Sequence, residues 1–147
     1  MCSPSQRPPL RCLAPKRTFF EKATLLHEEL LRPIESGMRP RLSRHFYDLA
    51  QMHAKGLGQD AIADLALYEG VVRHRAAFFR NKWMGDYTAL LDGPLILRPT
   101  EDRRAAWNRD YDDMNVMLFH EPPPFEELLA VADKIASSLN AARGIKI

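Results

Sequence analysis

Arg17-Thr18-Phe19-Phe20-Glu21-Lys22-Ala23 carries the signature of a helix start. Thr18 reads as the N-cap and Glu21, three residues on, as its reciprocal partner, each side chain satisfying an orphan backbone N–H at the other's position. The helix is therefore expected to begin at Phe19, with Phe19, Ala23, Leu26 and Leu30 forming an apolar stripe at 3.6-residue spacing. Lys22 falls on that stripe beside Ala23. A cation near the positive end of a helix dipole is disfavoured by roughly a few tenths of a kcal/mol or more. Its ammonium must also avoid desolvation or find a partner. An anion would resolve both costs.

A second stretch, Ser43-Arg44-His45-Phe46-Tyr47-Asp48-Leu49, offers one. Ser43 can cap a helix from Arg44 to about Lys55, where Gly56 supplies the left-handed residue that ends it. Phe46, Leu49, Ala50 and His53 give its buried stripe, and Arg44 and Asp48, four apart, share a flank. The turn around Arg32-Pro33 and Arg39-Pro40 sets the two helices antiparallel. Lys22 and Asp48 then meet only if the crossing brings both N-terminal turns together, which the sequence leaves open. On the residues alone, Lys22 reads as a snorkelling side chain and Asp48 as a surface pair with Arg44.

The 147 residues, 46% of them hydrophobic, suffice for one domain with its own core. A formal net charge of +2 neither demands nor excludes a nucleic-acid partner. Cys2 and Cys12 are too few for a disulfide framework or a four-ligand zinc site. No segment approaches the roughly 20 apolar residues of a membrane span, and the first residues lack the apolar core of a signal peptide. The expectation is a protein of the reducing cytoplasm.

Residues 1–16, rich in proline, read as an extended or disordered leader, and 17–142 as one helical domain. Pro33 to Pro40 forms a connector with Arg32, Arg39, Arg41 and Arg44 nearby, a basic patch open to a solvated or a phosphate-binding reading. Asp60 is expected to cap a third helix from Ala61 to about Phe79, weakened at Gly70. Its Arg73, His74, Arg75 and Arg80 complement the helix dipole as well as they would a nucleic acid. Asn81 to Pro99 is a loop anchored by Trp83, Tyr87, Leu90 and Leu91, with Leu95 to Arg98 as a possible short strand needing a partner. Thr100 caps a fourth helix, Glu101 to about Phe119, burying Ala106, Met114, Met117 and Leu118. Phe125 to Asn140 is the last, with Leu128, Leu129, Ala132, Ile135 and Leu139 inward. The fold class is mainly α, an irregular bundle of about five helices.

Asp110, Asp112 and Glu121 mimic positions of a calcium loop, but the position needing glycine is Asn115. The five histidines show no ligand spacing and read as hydrogen-bonded packing residues. Nucleophile, P-loop and dinucleotide glycine motifs are missing.

Taken in order, the two stretches, then Val71-Val72-Arg73-His74, Phe78-Phe79 and Met117-Leu118-Phe119-His120-Glu121-Pro122-Pro123 with Phe125, resemble the second half of the AbiEii/AbiGii nucleotidyltransferase toxin family. The resemblance spans roughly residues 13 to 140 and departs at Phe20, where tryptophan is expected, and at His120, where glycine is. It implies the C-terminal domain of a polymerase-β-like nucleotidyltransferase, with Lys22 and Asp48 in its third and fourth motifs as catalytic residues and Arg44 as a substrate-binding one. It also implies Mg²⁺ and an NTP as cofactor and substrate, tRNA as acceptor, and an antitoxin in a toxin–antitoxin or phage-defence operon. The family's metal-holding half, a Gly-Ser strand followed by paired acidic residues, does not occur in these residues. Nucleotidyl transfer needs such carboxylates for Mg²⁺. The chain is therefore expected to be inactive alone, with a separate N-terminal half as partner; the alternative is a non-catalytic helical remnant or an RNA- or partner-binding module.

Overall fold

The computed structural model describes residues 10–78, 87–116 and 121–145, without the side chains of 10–14 and 34. Along them run α1 (Leu10–Leu30), a 3-10 turn (Ile34–Ser36), α2 (Arg44–Ala54), α3 (Leu57–Ile62), α4 (Leu65–Phe78), α5 (Ala89–Asp92), α6 (Glu101–Asn115) and α7 (Phe125–Ala142). Helix α1 packs against α2, α3 and α4, and α7 closes the bundle over α2 and α3. The described residues contain no strand. The mainly helical class holds, with more and shorter helices than the five expected. Trp83, Arg80, Phe79 and Met117 to His120 lie outside the described residues, as does the leader before Leu10.

The first helix starts at Leu10, not Phe19, and carries Pro15 within it. A capping box decides a helix start only where the residues before it resist helix, and Leu10, Arg11, Leu13, Ala14 and Lys16 favour it by more than one missing Pro15 N–H disfavours it. Glu21 accordingly turns to Arg17, one helical turn back, at 3.1 Å. The stripe itself is as expected: Phe19, Ala23, Leu26 and Leu30 are buried. Phe20 is buried too, edge-on to Tyr68 of α4 at 5.4 Å. The apolar face of α1 is covered by α2, α3 and α4.

The expected third helix is two. Chain direction changes at Ala63-Asp64, where the Asp64 carboxylate accepts the Leu67 N–H at 3.2 Å and its carbonyl accepts those of Leu67 and Tyr68. Asp64, rather than Asp60, is the cap of α4, which runs unbroken through an exposed Gly70. Arg75 points inward, not to solvent. Its Nη2 donates to Glu28 of α1 at 2.8 Å and to the Tyr87 hydroxyl at 3.3 Å, while that hydroxyl donates to the same Glu28 oxygen. All three are buried.

Leu95 to Leu97 is extended yet has no partner strand. The Asn140 amide of α7 both accepts the Leu95 N–H (2.9 Å) and donates to its carbonyl (3.0 Å), and His27 Nδ1 of α1 accepts the Ile96 N–H at 2.9 Å. Side chains thus satisfy the backbone groups a second strand would have.

Three helices meet in an aromatic cluster. Phe46 of α2 stands edge-to-face with Trp107 of α6 (5.4 Å) and Phe125 of α7 (5.5 Å), and Tyr111 packs on Phe125 at 5.2 Å. Each such pair contributes about 0.5–1.5 kcal/mol beyond the area it buries. Buried α6 positions are Trp107, Tyr111 and Met114; Met114 was expected there, whereas Ala106 is only half-buried and the large Trp107 beside it takes the inward place. This cluster pins the first turn of α2.

Candidate functional site

Helix α2 begins under unusual restraint. Ser43 is its N-cap, but the Ser43 hydroxyl makes no capping bond. The Asp110 carboxylate of α6 instead fixes the chain leading into the helix, accepting the Arg41 N–H at 2.6 Å and the Ser43 N–H at 2.9 Å. Arg41 is held at φ +66°, a left-handed conformation that suits few L residues. With Phe46 and Leu49 buried on one side, the opposite flank of α2 presents Arg44, His45 and Asp48 toward α1. The end of α2 is as read from the sequence, with Gly56 at φ +85°.

That flank meets Lys22. Its Nζ donates to Asp48 Oδ2 at 2.9 Å, and His45 Nδ1 lies 3.4 Å from the same nitrogen. Arg44 Nε stands 3.8 Å and His45 Nδ1 4.0 Å from Asp48 Oδ2, so three basic groups converge on one carboxylate oxygen. Lys22 and Asp48 are about a quarter exposed, and Arg44 is 69% exposed. The contact that the sequence left open is therefore made. It is made differently from the condition set for it, because Lys22 sits in the middle of α1 rather than in its first turn. The dipole cost argued for Lys22 accordingly falls away; the desolvation cost is answered by Asp48.

Burial, and next the Lys22 ammonium, hold the His45 pKa below its ordinary value; Asp48 opposes them and Arg44 adds to them. The ring is neutral at pH 7. His45 had no assigned role beyond packing, although its place one turn before Asp48 was visible in the spacing.

The basic patch is only partly available. Arg39 and Arg32 both turn to the buried Glu29, the latter at 3.8 Å, while the exposed Arg41 and Arg44 lie nearer α2. At the α2 N-terminus the His45 and Phe46 amides bond to the Leu42 and Ser43 carbonyls. An anion arriving here meets side-chain cations.

A family model described as nucleotidyl transferase AbiEii toxin, type IV toxin–antitoxin system, matches residues 2–131. The chain belongs to the AbiEii family. No curated protein and no solved structure matches it. The family is one of nucleotidyltransferase toxins of type IV toxin–antitoxin systems, so membership implies an antitoxin partner. No helix among the described residues is long and apolar enough to cross a membrane.

Proposed function

We propose that Lys22, Asp48 and Arg44 form the phosphate-facing part of a nucleotidyl-transfer site acting on an NTP, with tRNA as acceptor. One observation carries the reading: an ammonium held at 2.9 Å by a single carboxylate, a quarter exposed, beside a second cation that extends into solvent. Two cations against one carboxylate leave a positive balance that suits a phosphate chain, and AbiEii membership supports the reaction class.

In this reading an acceptor hydroxyl attacks the α-phosphorus and gives up its proton to solvent, an O–P bond forms, the bond from the α-phosphorus to the oxygen bridging to the β-phosphate breaks, and pyrophosphate leaves. Lys22 neutralises charge developing along the phosphates, a task for a compact point charge. Asp48, its Oδ2 engaged by that ammonium, orients Lys22. Arg44 meets phosphate at the solvent side. The biological setting would be a phage-defence or toxin–antitoxin operon.

The reaction class implies Mg²⁺, which takes an octahedral set of oxygen ligands. Here Asp48 is the one carboxylate and its Oδ2 already accepts from Lys22, and no group of three or more His, Cys, Asp or Glu suited to a metal occurs among the described residues. The cluster does not fit Mg²⁺, and no step is derived through the ion. In this reading the metal-holding carboxylates would come from a separate nucleotidyltransferase half.

The test is transfer of label from each α-³²P NTP onto total tRNA, by the purified chain alone and with such a half added. Labelling only in the combination, lost in Lys22→Ala, is the expected result. Unchanged turnover in Lys22→Ala would refute the assignment; labelling by the chain alone would show that its own residues suffice. No labelling in any combination would favour a non-catalytic RNA- or partner-binding module.

A further inference from the structure

A lysine ammonium has three N–H donors and no acceptor capacity. On Lys22 one of them goes to Asp48 Oδ2 at 2.9 Å, and a second direction is occupied by His45 Nδ1 at 3.4 Å. The two partners stand one turn apart on α2, so they hold the ammonium from two sides of the same flank. Only the third N–H remains for a ligand.

We infer that His45 is the positioning residue for Lys22: its Nδ1 lone pair and Asp48 Oδ2 together aim the third N–H of the ammonium at an arriving phosphate oxygen. The inference rests on the phosphate-binding reading of Lys22 proposed above. It requires the Nε2–H tautomer, since Nδ1 must carry a lone pair to face a cation. The surroundings favour this state. Lys22 of α1 and Arg44 of α2 both disfavour a second proton on the ring, with Asp48 of α2 the opposing charge, and burial keeps the ring neutral. The backbone that carries the ring is also held, because Phe46, the next residue, packs edge-on against Trp107 and Phe125. A protonated ring would turn its N–H toward Asp48 Oδ2, 4.0 Å away, and compete with Lys22 for it.

Asparagine and leucine separate this role from packing. The Asn Oδ1 stands close to where histidine carries Nδ1 and accepts a hydrogen bond; leucine fills volume and accepts nothing. With inorganic tripolyphosphate as the probe, titrated into the whole purified chain, His45→Asn should bind within about twofold of the unsubstituted chain, and His45→Leu about tenfold more weakly, as expected for one lost charge-assisted contact. Long-range ¹H–¹⁵N spectra of the ligand-free chain should show His45 protonated on Nε2 and accepting at Nδ1. Circular dichroism confirms that each variant is folded.

Binding by His45→Leu equal to the unsubstituted chain, or loss in His45→Asn with retention in His45→Leu, would overturn the inference, as would a ring protonated on Nδ1. Absence of tripolyphosphate binding by the unsubstituted chain would instead overturn the phosphate reading of Lys22, and the role of His45 with it. Binding that Lys22→Ala abolishes, together with the Asn-over-Leu order at position 45, supports both.

Discussion

Acid should destabilise the domain through His27. This ring is buried between α1 and the extended segment, and its Nδ1 accepts the Ile96 N–H at 2.9 Å, with the Ile96 carbonyl 3.3 Å away. Burial pushes its pKa from 6.5 down to about 4, against a smaller opposing pull from the Ile96 backbone. Between those two values the unfolded chain binds a proton that the folded chain refuses, so stability falls as pH falls. The displacement, at about 1.4 kcal/mol per pH unit, corresponds to about 3 kcal/mol, fully present above pH 6.5 and lost progressively towards pH 4. A typical domain has only about 5–15 kcal/mol in total. The assay is urea unfolding at a series of pH values between 7.5 and 4, for the unsubstituted chain and for His27→Asn, whose Oδ1 can still accept the Ile96 N–H. The variant should start less stable, by about 1–2 kcal/mol from lost packing, and decline less steeply. Carboxylate protonation acts on both alike, so the difference in slope isolates the imidazole. Parallel curves would refute the reasoning.

Glu28→Leu should cost about 3–5 kcal/mol in urea unfolding because it strands the buried Arg75 guanidinium, and adding Arg75→Met should recover most of the loss. Asp110→Ala leaves the Arg41 and Ser43 amides without their acceptor. It should lower stability by about 1–2 kcal/mol, speed hydrogen exchange at those two amides, and weaken tripolyphosphate binding by loosening the start of α2. Lys22→Ala and Asp48→Asn should each change folding stability by less than about 1 kcal/mol, because a pair this exposed is screened by water; a larger loss would mark the pair as structural.

Periodicity made single helices legible: the inward residues of α7, the stripe of α1 and the Gly56 stop all follow from spacing and turn chemistry. Their boundaries were less so. Thr18 and Asp60 are good cap residues that the fold does not use as caps, because helix-forming neighbours carry the chain through them, and only the tertiary course shows that Asp64 turns it. Arg75 was misread for a related reason. One helix repeat places it among cations at a C-terminus, and nothing local announces that Glu28, 47 residues earlier, supplies a buried partner. The same limit applied to the site. Lys22 and Asp48 were singled out from residue type and resemblance, but their meeting depends on how α1 crosses α2, whose own start is held by Phe46, Trp107, Phe125 and Asp110. His45 was passed over because a lone histidine on a half-buried face is ordinary until a cation is seen beside it.

Folding energetics alone would not place a lysine at position 22. The positions around it on the stripe, Phe19, Ala23 and Leu26, are buried, and a leucine among them would contribute about 1.5–3 kcal/mol if fully covered. The ion pair with Asp48 is worth about 1 kcal/mol or less at a quarter exposure. Lysine is therefore the less stable choice, and it draws further polar groups with it: Asp48 to hold it, Arg44 beside that carboxylate, and a histidine that burial and the lysine's own field keep neutral. Sequences break local consistency in this way mainly where a site needs it. An arriving anion would balance the cluster, and the rigid aromatic support beneath α2 keeps its side chains assembled before that anion arrives.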